Sequence, residues 1–241
     1  MNTTATAPGR LSQTLIRMFM KQARVSAMES VAGGFHLITL QGSALKGVAW
    51  APGQKIQIAM GSVFVSRTYT PIEWDAAQGR TRLLGYAHGD GPGSAWLGDL
   101  KVGDECAIFG PRASLDVGHI SGLRVVLGDE TSLGLIHTLA RHSAGNPLQS
   151  LLEVASVDDV SRVRDRLNLH AVELFARTPD EEHLQGIEAR LPVLAAAGAS
   201  FILTGKATSI QRLQRALKAQ GVPRSRLLTK AYWAPGKTGL D

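Results

Sequence analysis

The stretch Val125-Val126-Leu127-Gly128-Asp129-Glu130-Thr131-Ser132 joins an apolar strand to the start of a helix through one glycine. From here to the carboxyl end, apolar segments alternate with amphipathic ones, which predicts five strands and four helices. The strands are expected at 123–127, 148–155, 169–176, 201–204 and 227–233, and the helices at about 131–142, 157–167, 187–197 and 209–220. Such alternation is typical of a parallel α/β sheet with helices on both faces, which binds ligands at the carboxyl ends of its strands.

The residues before this stretch have a different hydrophobic pattern. A helix is predicted at 11–22, and about six strands follow it, separated by turn signals. The strands are expected at 24–29, 35–40, 54–60, 63–74, 80–87 and 105–109. Only the segment after Gly93 has a helical pattern. The predicted fold is therefore an N-terminal antiparallel β-barrel, 1–117, followed by a five-stranded parallel α/β domain, 118–241.

The composition excludes several classes of protein. The chain has 241 residues, 44% of them hydrophobic, which suffices for two domains of about 100–120 residues each. Its single cysteine, Cys106, excludes an intrachain disulfide, and its apolar strand favours a core role over a nucleophilic one. No apolar run reaches the roughly 20 residues of a membrane span, and the N-terminus lacks the pattern of a signal peptide. We therefore expect a cytoplasmic protein that does not insert into membranes.

Positive charge is concentrated near the carboxyl end. The net charge is +6, and no acidic residue lies between Ala189 and Leu240. That stretch contains Arg190, Lys206, Arg212, Arg215, Lys218, Arg224, Arg226, Lys230 and Lys237. Such side chains solvate helix faces, and they also attract anionic partners such as a dinucleotide phosphate or an acidic metal chelate. Nucleic acid is not expected as a partner, because no helix-turn-helix, zinc-finger or aromatic-rich binding pattern is present.

Arg67-Thr68-Tyr69-Thr70 ends a predicted strand. Because alternate residues of a strand face the same side, Arg67 and Tyr69 project together. A guanidinium matches a pair of phosphate oxygens, an aromatic ring matches a planar heterocycle, and the hydroxyl of Thr70 can bond a ring nitrogen. Taken alone, the segment is better explained as an edge strand with an exposed arginine and a half-buried tyrosine.

The stretch His88-Gly-Asp-Gly-Pro-Gly-Ser-Ala-Trp96 is a glycine-rich turn that opens a helix. Its three glycines allow the backbone to approach a ligand closely. Ser94 is expected to be the N-cap of the helix, whose free N–H groups can hold a phosphate. An ordinary loop with a capping serine also accounts for the segment, with His88 a loop residue and Trp96 a core residue.

Gly128-Asp129-Glu130-Thr131 has the strand–glycine–helix arrangement of a nucleotide site but lacks three closely spaced glycines. Asp129 and Glu130 also complement the helix dipole, so capping and ligand binding explain this segment about equally well. Other chemistries are excluded. Thr204-Gly205-Lys206 lacks the upstream glycine of a phosphate-binding loop, the histidines show no metal-ligand spacing, and no serine occupies a nucleophile elbow.

In combination, these segments resemble the siderophore-interacting protein family, flavin-dependent ferric-siderophore reductases of the ferredoxin-reductase superfamily. The matching stretches cover nearly the whole chain: Arg67-Thr-Tyr-Thr70, His88 to Trp96, Val102-Gly-Asp104, Gly110-Pro-Arg112, Gly128-Asp-Glu-Thr131 and Tyr232-Trp233. The resemblance implies that the barrel binds FAD and the α/β domain NADH or NADPH. It implies an enzyme that passes electrons from NAD(P)H through FAD to Fe(III) in a siderophore and releases Fe(II). We expect a monomer or a weak dimer.

The resemblance also implies residue roles. Arg67 would contact the FAD diphosphate, Tyr69 the isoalloxazine ring and Thr70 its N5, so Thr70 and Tyr69 are the expected catalytic residues. The other expected cofactor contacts are Thr68, His88, Gly89, Gly91, Pro92, Gly93, Ser94, Ala95, Trp96, Gly128, Asp129, Glu130, Thr131, Tyr232 and Trp233. The expected contacts of an anionic siderophore are Lys206, Lys230 and Lys237. No protein-bound metal is expected.

The chain departs from the family pattern at several positions. Ile72 stands where members often carry a second arginine, which removes one phosphate contact. Lys206 replaces a glutamate and Ala231 a glycine, and Ala234-Pro235 replace arginines that often follow the Tyr-Trp pair. We therefore expect substrate recognition to differ from that of better-known members.

Two alternatives stay open. Another flavin oxidoreductase of the same superfamily, such as a flavin reductase, would share the fold and differ in its electron acceptor. A non-enzymatic siderophore-binding protein would keep the fold without the reaction, and the changes at Ile72 and at the end of the chain are compatible with it.

Overall fold

Two β-sheets form the framework of the protein, and the computed structural model describes residues 20–60, 62–142 and 145–237. The first sheet is antiparallel and contains β1 (Lys21–Ala32), β2 (Phe35–Gln41), β3 (Lys55–Met60), β4 (Ser62–Tyr69), β5 (Pro71–Asp75), β6 (Arg80–Tyr86) and β7 (Glu105–Arg112). One helix, α1 (Pro92–Asp99), lies between β6 and β7 in the chain. The predicted antiparallel half is confirmed, with seven strands instead of about six.

The two edges of the antiparallel sheet meet at Thr70. The strand order is β4-β3-β7-β1-β2-β6-β5, so β4 and β5 are the edge strands, yet Thr70 alone separates them in the chain. A flat sheet would hold its edges six spacings of about 4.8 Å apart, so this sheet curls back on itself as a barrel does. The strand predicted at 63–74 is divided here, because Pro71 has no N–H to donate and starts a new strand.

The helix predicted at 11–22 lies outside the described residues from 11 to 19. At its end, Lys21 and Gln22 belong to β1 and pair with Ile108 and Ala107 of β7, so the helix is wrong at these two positions. Pairing with a neighbouring strand satisfies the backbone N–H and C=O groups of these residues and overrides their local pattern.

The second sheet is parallel and has five strands, as predicted. Its strands are β8 (Arg124–Asp129), β9 (Leu148–Val154), β10 (Val172–Ala176), β11 (Ser200–Lys206) and β12 (Leu227–Trp233). Its helices are α2 (Leu133–Arg141), α3 (Val157–Arg166), α4 (His183–Ala196) and α5 (Ala207–Ala219). The strand order is β10-β9-β8-β11-β12, so the direction of winding reverses between β8 and β11, where such sheets bind ligands. No helix among the described residues is long and apolar enough to cross a membrane.

The parallel sheet has a hydrophobic core on each face. Val126 of β8 packs with α2 and α3, whereas Val125 and Leu127 pack with α4 and α5. The core around Val126 also contains Phe35 and Ile72 of the antiparallel sheet, so α2 and α3 lie between the two sheets. A second junction is the ion pair of Glu29 and Arg166, whose two N···O distances are both 2.7 Å. The two halves are therefore joined by a continuous core.

Candidate functional site

A crevice lies where the end of β4 and the start of α1 face the carboxyl ends of β8 and β12. Most of the predicted site residues line it: Arg67, Thr68, Tyr69, Thr70, His88, Gly91, Pro92, Gly93, Ser94, Glu130, Thr131, Lys230, Tyr232, Trp233 and Lys237. The predicted residues that do not line it are Gly89, Ala95, Trp96, Gly128, Asp129 and Lys206. The three segments singled out in the sequence thus meet in one place.

The end of β4 presents Arg67 and Tyr69 on the same face, as the two-residue period predicts. These residues pair with Ile58 and Ile56 of β3, both fully buried. The Tyr69 ring packs against the barrel core and lies 5.9 Å from the ring of Trp96. Burial raises the pKa of the Tyr69 hydroxyl, which stays protonated. Trp96 therefore supports the tyrosine from outside the crevice.

Helix α1 begins earlier than predicted. Gly91 is its N-cap and Pro92 its first residue, so the assignment of Ser94 as N-cap is wrong. Proline favours the first position of a helix, since its fixed φ suits the helix and its missing N–H is not needed there. The Ser94 hydroxyl instead accepts a hydrogen bond from His88 N at 2.9 Å and donates one to His88 O at 2.8 Å. Ser94 thus closes the turn that carries His88.

The glycine at the start of α1 is not required by the protein's own packing. Gly91 has an extended φ of −76°, and a Cβ there would meet nothing within 4 Å. At Gly93, a Cβ would lie 3.3 Å from Cγ of Arg67, so the start of the helix and the arginine side chain are adjacent. Helix N–H groups beside a guanidinium form a donor set that suits a phosphate or diphosphate.

An aromatic array borders the crevice. The Tyr86 ring stacks on Phe35 at 4.2 Å and on His88 at 5.3 Å, and His88 lies 5.8 Å from the ring of Trp233. Partial burial lowers the pKa of His88, which favours the neutral imidazole at pH 7. Tyr86 lines the crevice but was not predicted. Its position two residues before His88 at the end of a strand is the signal that points to it.

Asp129 lies beneath the crevice and reaches it through Trp233. It is fully buried at the end of β8 and is the N-cap of a short 3-10 turn, which confirms its capping role. One carboxylate oxygen accepts hydrogen bonds from the N–H of Thr131, at 2.9 Å, and from the Thr131 hydroxyl. The other accepts the indole N–H of Trp233 at 2.7 Å. Burial raises the pKa of Asp129 to about 6.

Glu130 connects three strand ends at the floor of the crevice. Its carboxylate accepts a hydrogen bond from the N–H of Ala155, after β9, and pairs with Arg177, after β10, at 2.9 Å. Only 3% of the Glu130 side chain is exposed, so both oxygens are engaged inside the protein. Arg177 was not predicted, because no local motif marks it.

A buried histidine completes this network. Nε2 of His183 lies 2.8 Å from the Glu153 carboxylate, which also lies 3.5 Å from Nε of Arg177. The backbone N–H of Thr178 donates to Nδ1 of His183 at 3.1 Å, so Nδ1 carries no proton. His183 is therefore neutral and donates its Nε2–H to Glu153.

The last strand joins the two sheets at the crevice. The Tyr232 hydroxyl is hydrogen bonded to the side chain of Thr70, and burial raises the pKa of that hydroxyl. Since Trp233 binds Asp129, consecutive residues of β12 bind the antiparallel and the parallel sheet.

The predicted lysines fall into two groups. Lys230 and Lys237 line the crevice. Lys206 lies outside it and pairs with Glu181 at 2.8 Å. Arg190 and Arg212 also bind carboxylates from earlier in the chain, so part of the basic stretch is neutralised. Lining residues that were not predicted are Lys55, Ser66, Leu84, Tyr86, Ser114, Gly134 and Ala231.

Two further expectations concern Ile72 and metals. The Ile72 side chain is buried in the core between the sheets and does not line the crevice. Within residues 20–60, 62–142 and 145–237, no group of three or more His, Cys, Asp or Glu side chains is arranged to hold a metal ion.

Two family models match most of the chain. Residues 8–115 match the siderophore-interacting FAD-binding domain, and residues 123–236 match the siderophore-interacting protein model. No curated protein matches the chain.

Solved structures share the fold at low sequence identity. The siderophore-interacting protein SipS from Aeromonas hydrophila is 22% identical, with a TM-score of 0.74 over 90% of this chain and 92% of that one. The ferredoxin reductase of carbazole 1,9a-dioxygenase is 19% identical, with a TM-score of 0.73 over 89% and 69%. An intact type IV self-sufficient cytochrome P450 monooxygenase is 20% identical, with a TM-score of 0.71 over 98% of this chain, which spans only 30% of that protein. The chain therefore has the ferredoxin-reductase fold.

Proposed function

The chain belongs to the siderophore-interacting protein family, and we propose that it is a reductase of ferric siderophores that uses NAD(P)H and FAD. The observation that carries this proposal is the crevice, in which N–H donors suited to a phosphate, a tyrosine and a threonine hydroxyl face the carboxyl edge of a parallel sheet. We assign residues 1–117 to FAD and residues 118–241 to the nicotinamide nucleotide.

Two observations support FAD as the cofactor. The start of α1 and Arg67 place N–H donors side by side, which suits the flavin diphosphate. Gly91 keeps open a space that the protein does not fill with its own atoms, as expected where a ligand approaches the backbone. Tyr69 would lie against the ring system, and Thr70 would hydrogen bond it.

Electron transfer of this kind requires the protein to bind and orient rather than to exchange protons. FAD, when bound, accepts two electrons as a hydride and can deliver them singly, which iron reduction requires. Thr70 is held in place by its hydrogen bond to Tyr232, and both residues line the crevice. Thr70 and Tyr69 are therefore the residues proposed to touch the reacting part of the cofactor.

The nicotinamide nucleotide is proposed to dock at the carboxyl ends of β8 and β11. Glu130 and Thr131 line the crevice there, and the winding of the sheet reverses at the same place. Because both oxygens of Glu130 are bonded within the protein, the carboxylate shapes this floor instead of binding a ribose directly.

Lys230 and Lys237 support an anionic siderophore as the substrate, because both line the crevice. Lys206 is removed from the proposed contacts, because its ammonium group is paired with Glu181 outside the crevice. Fe(III) in its chelate is the electron acceptor, and release of Fe(II) follows from its weaker binding to hard oxygen ligands.

A reductase with a different acceptor is the second candidate. The chain shares its fold with the ferredoxin reductase of carbazole 1,9a-dioxygenase. A redox protein is therefore the second electron acceptor to test. A binding protein without activity is the third.

The first experiment is a visible spectrum of the purified protein, followed by release and identification of any flavin. Turnover with NADH and with NADPH is then compared on ferric siderophores, free flavin and a ferredoxin. Stoichiometric FAD and the highest kcat/KM on ferric siderophores support the proposal. A preference for free flavin or ferredoxin supports the second candidate, and a protein that does not bind added FAD contradicts both.

A further inference from the structure

We propose that Asp129 is a positioning residue that anchors the Trp233 indole at the nucleotide side of the crevice. The inference rests on the proposed function, in which that side receives NAD(P)H. Asp129 does not line the crevice itself, so it acts through the indole, to which its carboxylate is bonded at 2.7 Å.

The bond passes over the end of an intervening strand. Asp129 ends β8 and Trp233 ends β12, and β11 lies between these strands. At the end of β11, Gly205 has a φ of +97°, and a Cβ there would lie 2.4 Å from the Asp129 carboxylate. A side chain at position 205 would therefore occupy the place of the carboxylate, so Gly205 makes the contact sterically possible.

A β-bulge directs the indole to Asp129. The pairing of β11 with β12 shifts by one residue between Gly205–Ala231 and Lys206–Trp233, which leaves Tyr232 as the extra residue. Bulges redirect side chains beside functional sites. Here Tyr232 turns to Thr70 while Trp233 turns to Asp129.

Only a carboxylate fits this position. One oxygen of Asp129 faces the N–H of Thr131, and the other faces the N–H of Trp233. An asparagine of the same size has one accepting oxygen and one donating NH₂ group. In either orientation its NH₂ group would face another N–H, so Asp129→Asn must release either the turn or the indole.

Capping of the 3-10 turn does not by itself explain the side chain. The cap engages the backbone N–H groups of Thr131 and Ser132 and the Thr131 hydroxyl, all within the turn, whereas the indole of Trp233 comes from another strand. Without Trp233 the buried carboxylate would lose the hydrogen bond that ties it to β12, and the loss of a partner by a buried acceptor is costly. The two bonds together account for a fully buried carboxylate at a crevice whose chemistry needs no proton transfer.

The test is a double-mutant cycle on the FAD-loaded protein with Asp129→Asn, Trp233→Phe and the combined variant. We expect each single change to lower kcat/KM for NAD(P)H at least fivefold, and the combination to fall within twofold of Trp233→Phe alone. Asp104→Asn is the matched control, because exposed Asp104 accepts a hydrogen bond from Lys101 N at 2.8 Å outside the crevice. The kcat/KM of Asp104→Asn for NAD(P)H should equal that of the wild type. Additive effects of the two single changes would overturn the proposal.

Solvent exchange of the Trp233 indole N–H, identified by its loss in Trp233→Phe, gives a readout independent of activity and of FAD. A protected signal in the wild type that exchanges at least tenfold faster in Asp129→Asn supports anchoring, and exchange at the rate of a free indole in the wild type overturns it. Because this measurement needs no turnover, it decides the role of Asp129 even if the protein does not oxidise NAD(P)H. If Asp129→Asn does not fold, the wild-type exchange rate decides.

Discussion

The hydroxyl of Tyr232 is hydrogen bonded to the side chain of Thr70, and this bond links the last strand of the parallel sheet to the point where the antiparallel sheet closes. Thr70 separates the two edge strands of that sheet. The hydroxyl proposed to face the flavin is therefore held by a residue from the other half of the chain.

Tyr232→Phe removes this bond and keeps the ring. We expect the free energy of unfolding to fall by about 0.5–1.5 kcal/mol, as for one hydrogen bond. The flavin should stay bound, and its reduction by NAD(P)H should slow, because Thr70 loses its partner. Denaturant unfolding and stopped-flow absorbance measure the two effects. Unchanged values of both would contradict the assignment.

Tyr69→Ala removes the ring that lies at the end of β4 against the barrel core. We expect the Kd for FAD to rise at least roughly tenfold, because an aromatic face over a planar ring is lost. Tyr69→Phe keeps that face and serves as the control, with a Kd within about twofold of wild type. An unchanged Kd in Tyr69→Ala would remove Tyr69 from the flavin site.

Gly91→Ala tests whether the glycine at this position is required for FAD binding or for the stability of the protein. The backbone of Gly91 is extended and a Cβ would meet no atom within 4 Å, so the stability of the flavin-free protein should fall by no more than about 1 kcal/mol, the usual cost of alanine at an N-cap. The methyl group would occupy space proposed for the flavin diphosphate, so FAD affinity should fall.

Gly98→Ala is the matched control for that change. Gly98 lies on the same helix, has no atom within 4 Å of a Cβ and does not line the crevice. Its FAD affinity should equal that of wild type, measured by fluorescence titration. Equal affinity in Gly91→Ala would place the diphosphate elsewhere.

Asp129 makes stability depend on pH. Burial raises its pKa from 3.8 to about 6, so the folded protein binds this proton more tightly than the unfolded chain. The contribution of Asp129 to stability is then greatest below about pH 4, falls as the pH rises through about 6, and is level above that. The stability of wild type minus that of Asp129→Asn should fall by an amount on the order of 2 to 3 kcal/mol between about pH 4 and 7. A difference that is constant over this range would contradict the raised pKa.

The lysines of the crevice should steer anionic substrates. Lys230→Glu with Lys237→Glu should lower kcat/KM for anionic ferric chelates by about tenfold or more at low salt, and should have little effect on neutral chelates. Arg215→Glu with Lys218→Glu makes the same change of charge on exposed residues of α5 and is the control. Retained rates on every chelate would exclude steering.

Much of the crevice could be predicted because its parts are local. The glycine-rich turn before α1, the end of β4 and the start of the turn after β8 each lie within a few consecutive residues, and each occurs where a strand ends or a helix begins. The two incorrect boundaries in these segments are explained by single proline residues. Ser94 is not the N-cap because the helix starts at Pro92, which moves the N-cap three residues back to Gly91, and the strand predicted at 63–74 divides because Pro71 cannot donate a hydrogen bond.

The two sheets, their order in the chain and the segments that line the crevice could be predicted from the amino-acid sequence alone, because the periods of strands and helices are properties of neighbouring residues. The partners of the buried polar groups depend on the three-dimensional arrangement of the strands. Trp233 meets Asp129, and Arg177 meets Glu130, because strand order and one bulge bring together residues far apart in the chain. The same strand ends leave Lys206 outside the crevice and Lys230 inside it. Such pairings depend on how the strands are arranged in space, and the hydrophobic period of a single segment does not predict that arrangement.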